Sequence, residues 1–210
     1  MQNNRYNPYT YIHKGIRREL AHLLRTAGNL DFSDEPEARA FIAGLRNSLR
    51  LMNKHAHHED LNVDPVLTGF APKLARRITA THKVLEEQER EVLSLCENAP
   101  GDPAVGYSLY LALSRYAATQ FGHMAEEETD VVQELWLNMT DEEIIKVESA
   151  IVSSIEPQDL GVFLTWMIHG INRHERDVFI EGMRQGAPPE AVAFAEEQAR
   201  AAREVEHSLA

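Results

Sequence analysis

Histidine and glutamate side chains recur at helical spacing on apolar faces along the first two thirds of this chain. The clearest case is a stripe with steps of three and four residues, formed by Phe41, Leu45, Ser48, Met52, His55 and Glu59. A buried carboxylate is costly unless a positive charge lies against it, and no Lys or Arg shares this stripe. A metal cation is the simplest partner, because His55 and Glu59 on one helical face can reach one ion or two neighbouring ions.

The same pattern recurs on three other predicted helices. The complete set of candidate ligands is His13, His55, Glu59, His82, Glu86, His123 and Glu127. This set is too large for one ordinary ion and suits a dinuclear centre with bridging carboxylates. Mixed imidazole and carboxylate ligation favours iron or manganese over magnesium or calcium, so the sequence predicts a di-iron centre with Glu59 and Glu127 as its bridging pair.

A simpler interpretation competes with ligation at each position. A lone histidine on an apolar stripe is usually a hydrogen-bonded core residue. Glu86 lies in the acidic run 86–89 and suits a solvated face, while Glu126 and Glu128 are rivals of Glu127. Other histidines could orient a ligand, line an access route or serve the structure alone; these are His58, His169 and His174.

Caps and breaks predict the helices that position these residues. The predicted helices cover about 8–27, from Asp34 to about Pro65, 72–96, from Pro103 to about 137, 140–155, from Pro157 to before Gly186, and from there toward the C-terminus. The fold class is all-α: an antiparallel up-down-up-down four-helix bundle with additional C-terminal helices. We expect residues 1–139 to form the bundle with the metal site and residues 140–210 to form a helical extension packed on it.

Composition narrows the class of function. The chain has 210 residues, a net charge of −12 and a sequence pI near 5.3, which argue against nucleic acid or an anionic membrane as partner. No signal segment and no apolar run of about 20 residues is present, and Cys96 is the lone cysteine. We therefore expect a cytoplasmic protein. The sequence does not indicate an oligomeric state.

The order of these motifs resembles the hemerythrin-like proteins of the HHE cation-binding group. The resemblance covers residues of about 9 to 137 and rests on His55-x-x-x-Glu59 followed by Pro65, on the segments 12–17 and 123–128, and on His82. Segment 166–168 and Glu175-Arg176 resemble the C-terminal extension of bacterial members. The resemblance implies a bundle holding two iron ions with an oxo or hydroxo bridge, and a protein that binds dioxygen, senses oxygen or iron, or handles nitric oxide or peroxide.

Two departures from the oxygen carriers bear on function. Those carriers have His-x-x-x-His on the third helix, where this chain has His82 and Glu86; a carboxylate there would favour the ferric state. Their spacing on the fourth helix would select Glu128 instead of Glu127 as the bridge. We expect a non-haem di-iron protein that binds dioxygen or a related small ligand. The alternatives are a di-iron oxidoreductase acting on peroxide or nitric oxide, an iron or oxygen sensor or iron donor, and a helical interaction module.

Overall fold

The computed structural model describes residues 5–208, with side chains for residues 5–204; the side chain of His207, in a Glu-x-x-His pattern that we interpret as coincidental, lies outside them. The α-helices are α1 Thr10–Asn29, α2 Glu35–Asn62, α3 Asp64–Phe70, α4 Pro72–Leu95, α5 Pro103–Glu126, α6 Val132–Asn138, α7 Asp141–Ser154, α8 Pro157–Gly170, α9 Arg173–Gly186 and α10 Pro189–Ser208. A π-helical turn, Glu127–Val131, joins α5 to α6. Every regular element within residues 5–208 is helical, which confirms the all-α class.

The chain divides into two compact units, and the division falls within α1. The first unit comprises Leu20–Ser154 together with the residues before Tyr9, and the second comprises Tyr9–Glu19 together with the chain from Ile155 onward. The C-terminal half of α1 thus belongs to the first unit with α2 to α7, and its N-terminal half belongs to the second unit with α8 to α10. The predicted boundary between residues 139 and 140 stays a prediction.

In the first unit α2 packs against α3, α4 and α7, and α4 packs against α5. The apolar stripes predicted from spacing face this packing. The stripe that steps by three or four residues along α5, the π-helical turn and α6 is buried at every position, namely Leu109, Leu113, Tyr116, Gln120, His123, Glu127, Val131 and Leu135. The predicted stripe on α4 buries Ile78, His82, Leu85 and Val92, and its first member, Leu74, is half-buried. Periodicity therefore placed His82, Gln120, His123 and Glu127 correctly on buried faces.

Caps predicted from the sequence set two helix starts in this unit. The Asp34 carboxylate accepts a hydrogen bond from the Glu37 backbone N–H at 3.1 Å and begins α2. Thr140 and Glu143 form a reciprocal pair before α7, because each side chain accepts a hydrogen bond from the backbone N–H of the other. These bonds satisfy backbone donors that the first helical turn leaves without partners.

In the second unit α10 packs against both α8 and α9. The single helix expected from Pro157 to Gly186 is wrong, because α8 ends at Gly170 and α9 begins at Arg173. The reason is a second capping box: the Asn172 side chain accepts from the Glu175 backbone N–H at 3.0 Å, and Glu175 accepts from the Asn172 N–H at 2.9 Å. The Asn-x-x-Glu spacing was visible in the sequence and was overlooked.

Tight helix crossing within the second unit depends on glycine. A Cβ added at Gly15 would lie 2.7 Å from the Trp166 carbonyl carbon, and one at Gly170 would lie 2.6 Å from the Gly15 nitrogen. The backbones of α1 and α8 therefore approach to a distance that any larger residue would prevent. None of the helices in the described part of the chain combines the length and apolarity needed to cross a membrane.

Candidate metal centre

Four buried side chains of the first unit converge on one point. Each of Glu59, His82, His123 and Glu127 offers a ligand atom, and these atoms all lie within 4.8 Å of one another. They come from α2, α4, α5 and the π-helical turn, and none of the four is more than 4% exposed. This cluster, called the metal cluster below, can hold a metal ion.

The two imidazoles of the metal cluster face each other edge to edge. The His82 Nε2 and His123 Nε2 atoms are 2.8 Å apart, and the ring planes meet at 76°. Two nitrogens that each lie about 2.1 Å from one cation at right angles would be about 3.0 Å apart. The imidazole pair is thus close to the spacing of adjacent ligands on one ion.

The carboxylates complete the arrangement. Glu127 Oε1 lies 3.3 Å from His123 Nε2 and 3.9 Å from His82 Nε2. Glu59 lies between two imidazoles, with Oε2 at 3.9 Å from His82 Nε2 and Oε1 at 3.2 Å from His55 Nε2. The two carboxylate oxygens of Glu59 therefore face different histidines.

A carboxylate outside the metal cluster orients one of its histidines. His82 Nδ1 lies 2.7 Å from Asp60 Oδ1. An ionised carboxylate only accepts hydrogen bonds, so Nδ1 carries the proton and Nε2 points into the metal cluster. Carboxylate–histidine pairs of this kind fix the tautomer and ring orientation of metal ligands.

The carboxylates around His82 change the pKa of its imidazole. Burial alone would lower the pKa of His82, but the hydrogen bond to Asp60 and the charges of Glu59 and Glu127 outweigh it and raise that pKa to about 9. The site therefore favours a positive charge among its carboxylates. A proton on His82 supplies one, and a metal cation would supply a larger one.

The π-helical turn begins at Glu127, the last residue of the metal cluster along the chain. Turns of this kind insert an extra residue into a helix and often occur at functional sites. Arg77 on α4 pairs with Glu126 and, at 2.6 Å, with Asp130, so its guanidinium spans the start of the turn from outside. Glu127 is 1% exposed, whereas Glu128 is only half-buried and is not part of the metal cluster.

The predicted ligands fall into three groups. Glu59, His82, His123 and Glu127 meet in the metal cluster. His55 is half-buried beside Glu59, and His13 is fully buried on the part of α1 that belongs to the second unit, where its ring lies 4.9 Å from that of Tyr9. Glu86 is not brought into the metal cluster, because its side chain is exposed.

The remaining histidines have simpler surroundings. His58 Nδ1 lies 3.0 Å from the Ser154 hydroxyl, which links α2 to α7. His169 Nε2 lies 3.3 Å from Gln198 Oε1 within the second unit, and His174 is exposed. His22 is exposed, as its position opposite the apolar stripe of α1 predicts.

A small cavity adjoins the metal cluster in the first unit. It has a volume of about 50 Å³ between α2, α4 and α5, and His82 forms part of its wall. Polar side chains line it beside His82: Asn53, His57, Asp60, Glu86, Glu89, Tyr116 and Gln120. The cavity gives a space from which a small molecule could approach His82.

Sequence reasoning missed Asp60 and the roles of Tyr116 and Gln120. Asp60 follows Glu59 directly, about 100° around the helix, so periodicity places it off the ligand stripe. The need of a buried histidine for a hydrogen-bond acceptor was the available signal. Tyr116 and Gln120 were placed on the buried stripe of α5, but the cavity beside them forms only when α2 and α4 pack there.

Comparison with known proteins adds no relative: no protein-family model, no curated protein and no solved structure matches this chain. The buried histidine and glutamate cluster therefore carries the functional argument by itself. What it establishes is a helical protein with a site that can bind a metal ion.

Proposed function

We propose that this chain is a hemerythrin-like, non-haem di-iron protein that binds dioxygen or a related small ligand inside a four-helix bundle. The observation that carries the proposal is the metal cluster, where two imidazole nitrogens and two carboxylate oxygens meet within 4.8 Å in a buried interior. Mixed nitrogen and oxygen ligation in a dry site suits iron, and zinc or manganese would be the competing occupants.

The position of Glu59 supports a second cation in this proposal. Glu59 has one oxygen toward His82 and the other toward His55, so it can join a position in the metal cluster to a second position beside His55. Glu127 contributes the other carboxylate to the first position. Ligation by His13 stays a prediction from the sequence, as do the family resemblance and a cytoplasmic location.

The residues around the site have separate tasks in this proposal. His82 and His123 would hold iron, Asp60 orients His82 through its Nδ1–H, and Glu59 supplies negative charge that attracts the cations. When bound, iron supplies the electrons that activate a dioxygen-like ligand. The four cluster residues are themselves buried, and the low dielectric of a protein interior strengthens the electrostatic interactions of the site.

Metal analysis of protein purified without chelator tests the proposal directly. We expect about two irons per chain and, after oxygen is admitted, a ligand-to-metal charge-transfer band in the absorption spectrum. Glu59→Ala should lose one or both irons, because it removes the carboxylate that faces His82 and His55. Glu87→Ala, which removes an exposed carboxylate from α4, is the matched control and should retain full iron content.

Two outcomes would contradict the proposal. Wild-type protein that takes up no iron after anaerobic loading with ferrous salt would exclude a di-iron centre. Full iron content in Glu59→Ala, with helical content equal to wild type by circular dichroism, would show that the metal lies elsewhere.

A further inference from the structure

Most of the side chains that line the cavity beside the metal cluster are polar. Its volume of about 50 Å³ is enough for a small molecule of a few atoms. His82 is the member of the metal cluster that also lines the cavity, so a molecule in the cavity lies beside the His82 side chain.

The side-chain oxygen of Gln120 gives the cavity a hydrogen-bond acceptor. The side chain is 3% exposed, and among the described residues no donor lies within hydrogen-bond distance of its Oε1 atom. A buried carbonyl oxygen without a donor destabilises the folded state. An apolar residue of similar size would serve packing better at this position of α5, which indicates that the amide faces a ligand.

Tyr116 gives the cavity a donor. Its hydroxyl lies 3.9 Å from the sulfur of Met52, and a thioether is a weak acceptor. Burial and then the charge of Glu89 raise the pKa of Tyr116, so the phenol keeps its proton and can donate it in a hydrogen bond. The donor and the acceptor lie one turn apart on α5 and line the same cavity.

Carboxylates select the charge of the occupant. Asp60, Glu86 and Glu89 all line the cavity, and no Lys or Arg is among its lining residues. An anion such as superoxide or nitrite would be repelled, while a neutral polar molecule would not be.

From this arrangement we infer that the cavity is a subsite that binds hydrogen peroxide, in preference to dioxygen, beside the metal cluster. Hydrogen peroxide is neutral, has two donors and several lone pairs, and can donate to Gln120 Oε1 while it accepts from the Tyr116 hydroxyl. Dioxygen has no donor and would leave Gln120 without a partner; sites built around hydrogen bonds discriminate strongly against such molecules. The inference rests on the proposed function, because it names the ligand of the same centre.

Stopped-flow oxidation of the ferrous, iron-loaded protein by hydrogen peroxide and by dioxygen tests the inference. With peroxide, each of two ferrous ions gives one electron, the O–O bond breaks, and two protons are consumed to release two waters. The variants are Gln120→Met and Tyr116→Phe. Gln88→Met is the matched control, because Gln88 Oε1 is also buried without a donor among the described residues but does not line the cavity.

We expect each cavity variant to lower the rate constant for peroxide by about fivefold to tenfold, the equivalent of one lost hydrogen bond, and to change that for dioxygen by less than about twofold. Gln88→Met should leave both rate constants unchanged. A readout without iron supports the test: metal-free Gln120→Met should be more stable to denaturant than wild type, because it removes an unsatisfied buried oxygen.

Three results would each overturn the inference. The rate constants for peroxide and dioxygen could fall equally, the rate constant for peroxide could stay unchanged in both cavity variants, or metal-free Gln120→Met could be less stable than wild type. Iron content, measured on every sample by elemental analysis, separates this failure from failure of the proposed function. Wild-type protein without iron would refute both, whereas iron-loaded wild type whose variants show no peroxide-selective loss would refute the subsite alone.

Discussion

The interiors of the first and second units are filled by different kinds of side chain. Around the metal cluster, imidazole and carboxylate groups are placed where apolar contacts would stabilise the fold more. The core between α8, α9 and α10 is instead built from Ile168, Ile180, Ala195 and Ala199. The second interior depends on close approach of backbones and small side chains, and the first contains buried histidine and glutamate side chains that can hold a metal ion.

A buried arginine in the second unit illustrates the difference between the two interiors. Arg176 is 2% exposed, and its Nε–H donates to the Ile171 carbonyl oxygen at 3.1 Å, so the guanidinium secures the chain between α8 and α9. His82 and His123 direct their Nε2 atoms toward each other and toward carboxylates, with no backbone group between them. The buried arginine thus binds the backbone in the second unit, whereas the buried histidines of the first unit face other side chains that can hold a metal ion.

The largest effect should come from adding one methyl group to the second unit. Gly15→Ala places a Cβ within 3 Å of the Trp166 backbone, and we expect a loss of about 3 kcal/mol in the free energy of unfolding. Gly161→Ala on α8 is the control: its Cβ meets nothing within 4 Å, and the gain in helix propensity should stabilise the protein by up to about 1 kcal/mol. Urea unfolding of both variants measures the difference; equal stabilities would show that the close crossing is unimportant.

Metal should stabilise the first unit by a similar amount. At a free metal concentration about 100 times the dissociation constant, binding to the folded state adds about 2.7 kcal/mol, and a chelator should remove it. Glu127→Gln should abolish most of this response, because it neutralises a carboxylate 3.3 Å from His123 Nε2. Glu128→Gln should retain it. If a chelator left the melting temperature of wild type unchanged, the interior of the first unit would not bind a stabilising metal.

Removing the group that orients His82 should weaken metal binding by about tenfold to a hundredfold. In Asp60→Asn the acceptor of the Nδ1–H loses its charge, so the imidazole is a poorer and less well-positioned ligand. Glu86→Gln, on the rim of the cavity and exposed, should change affinity by less than about twofold. Competition with a coloured chelator measures both dissociation constants, and a larger effect of Glu86→Gln would restore that residue as a ligand.

The smallest effect is a pH dependence of the metal-free protein. The pKa of His82 is raised from 6.5 to about 9 in the folded state, so folding is favoured while the imidazole is protonated. This contribution is complete below pH 6.5 and is lost as the pH rises through about 9, at roughly 1 kcal/mol per pH unit. Denaturation at pH 7 and pH 8.5 should show a decrease in wild type and a weaker one in His82→Gln. Parallel curves would mean that His82 is neutral in the folded protein.

Helical periodicity by itself determined the all-α class and several of the polar residues that are buried. His82, His123 and Glu127 were placed on apolar stripes because a 3.6-residue period fixes which face a side chain occupies, whatever the helix packs against. A candidate ligand can be identified in this way on each helix separately. The same reasoning included Glu86, since a period says which face a residue shares and does not say how far its side chain lies from solvent.

Only the tertiary structure decided which of these residues meet and what surrounds them. Asp60 reaches His82 across α2 and α4, and the cavity lined by Tyr116 and Gln120 exists because three helices pack around it. The close crossing at Gly15 is likewise a property of two helices distant in sequence. Such contacts depend on the distances between helices, which side-chain packing sets, whereas the pattern along one helix depends on local backbone geometry alone.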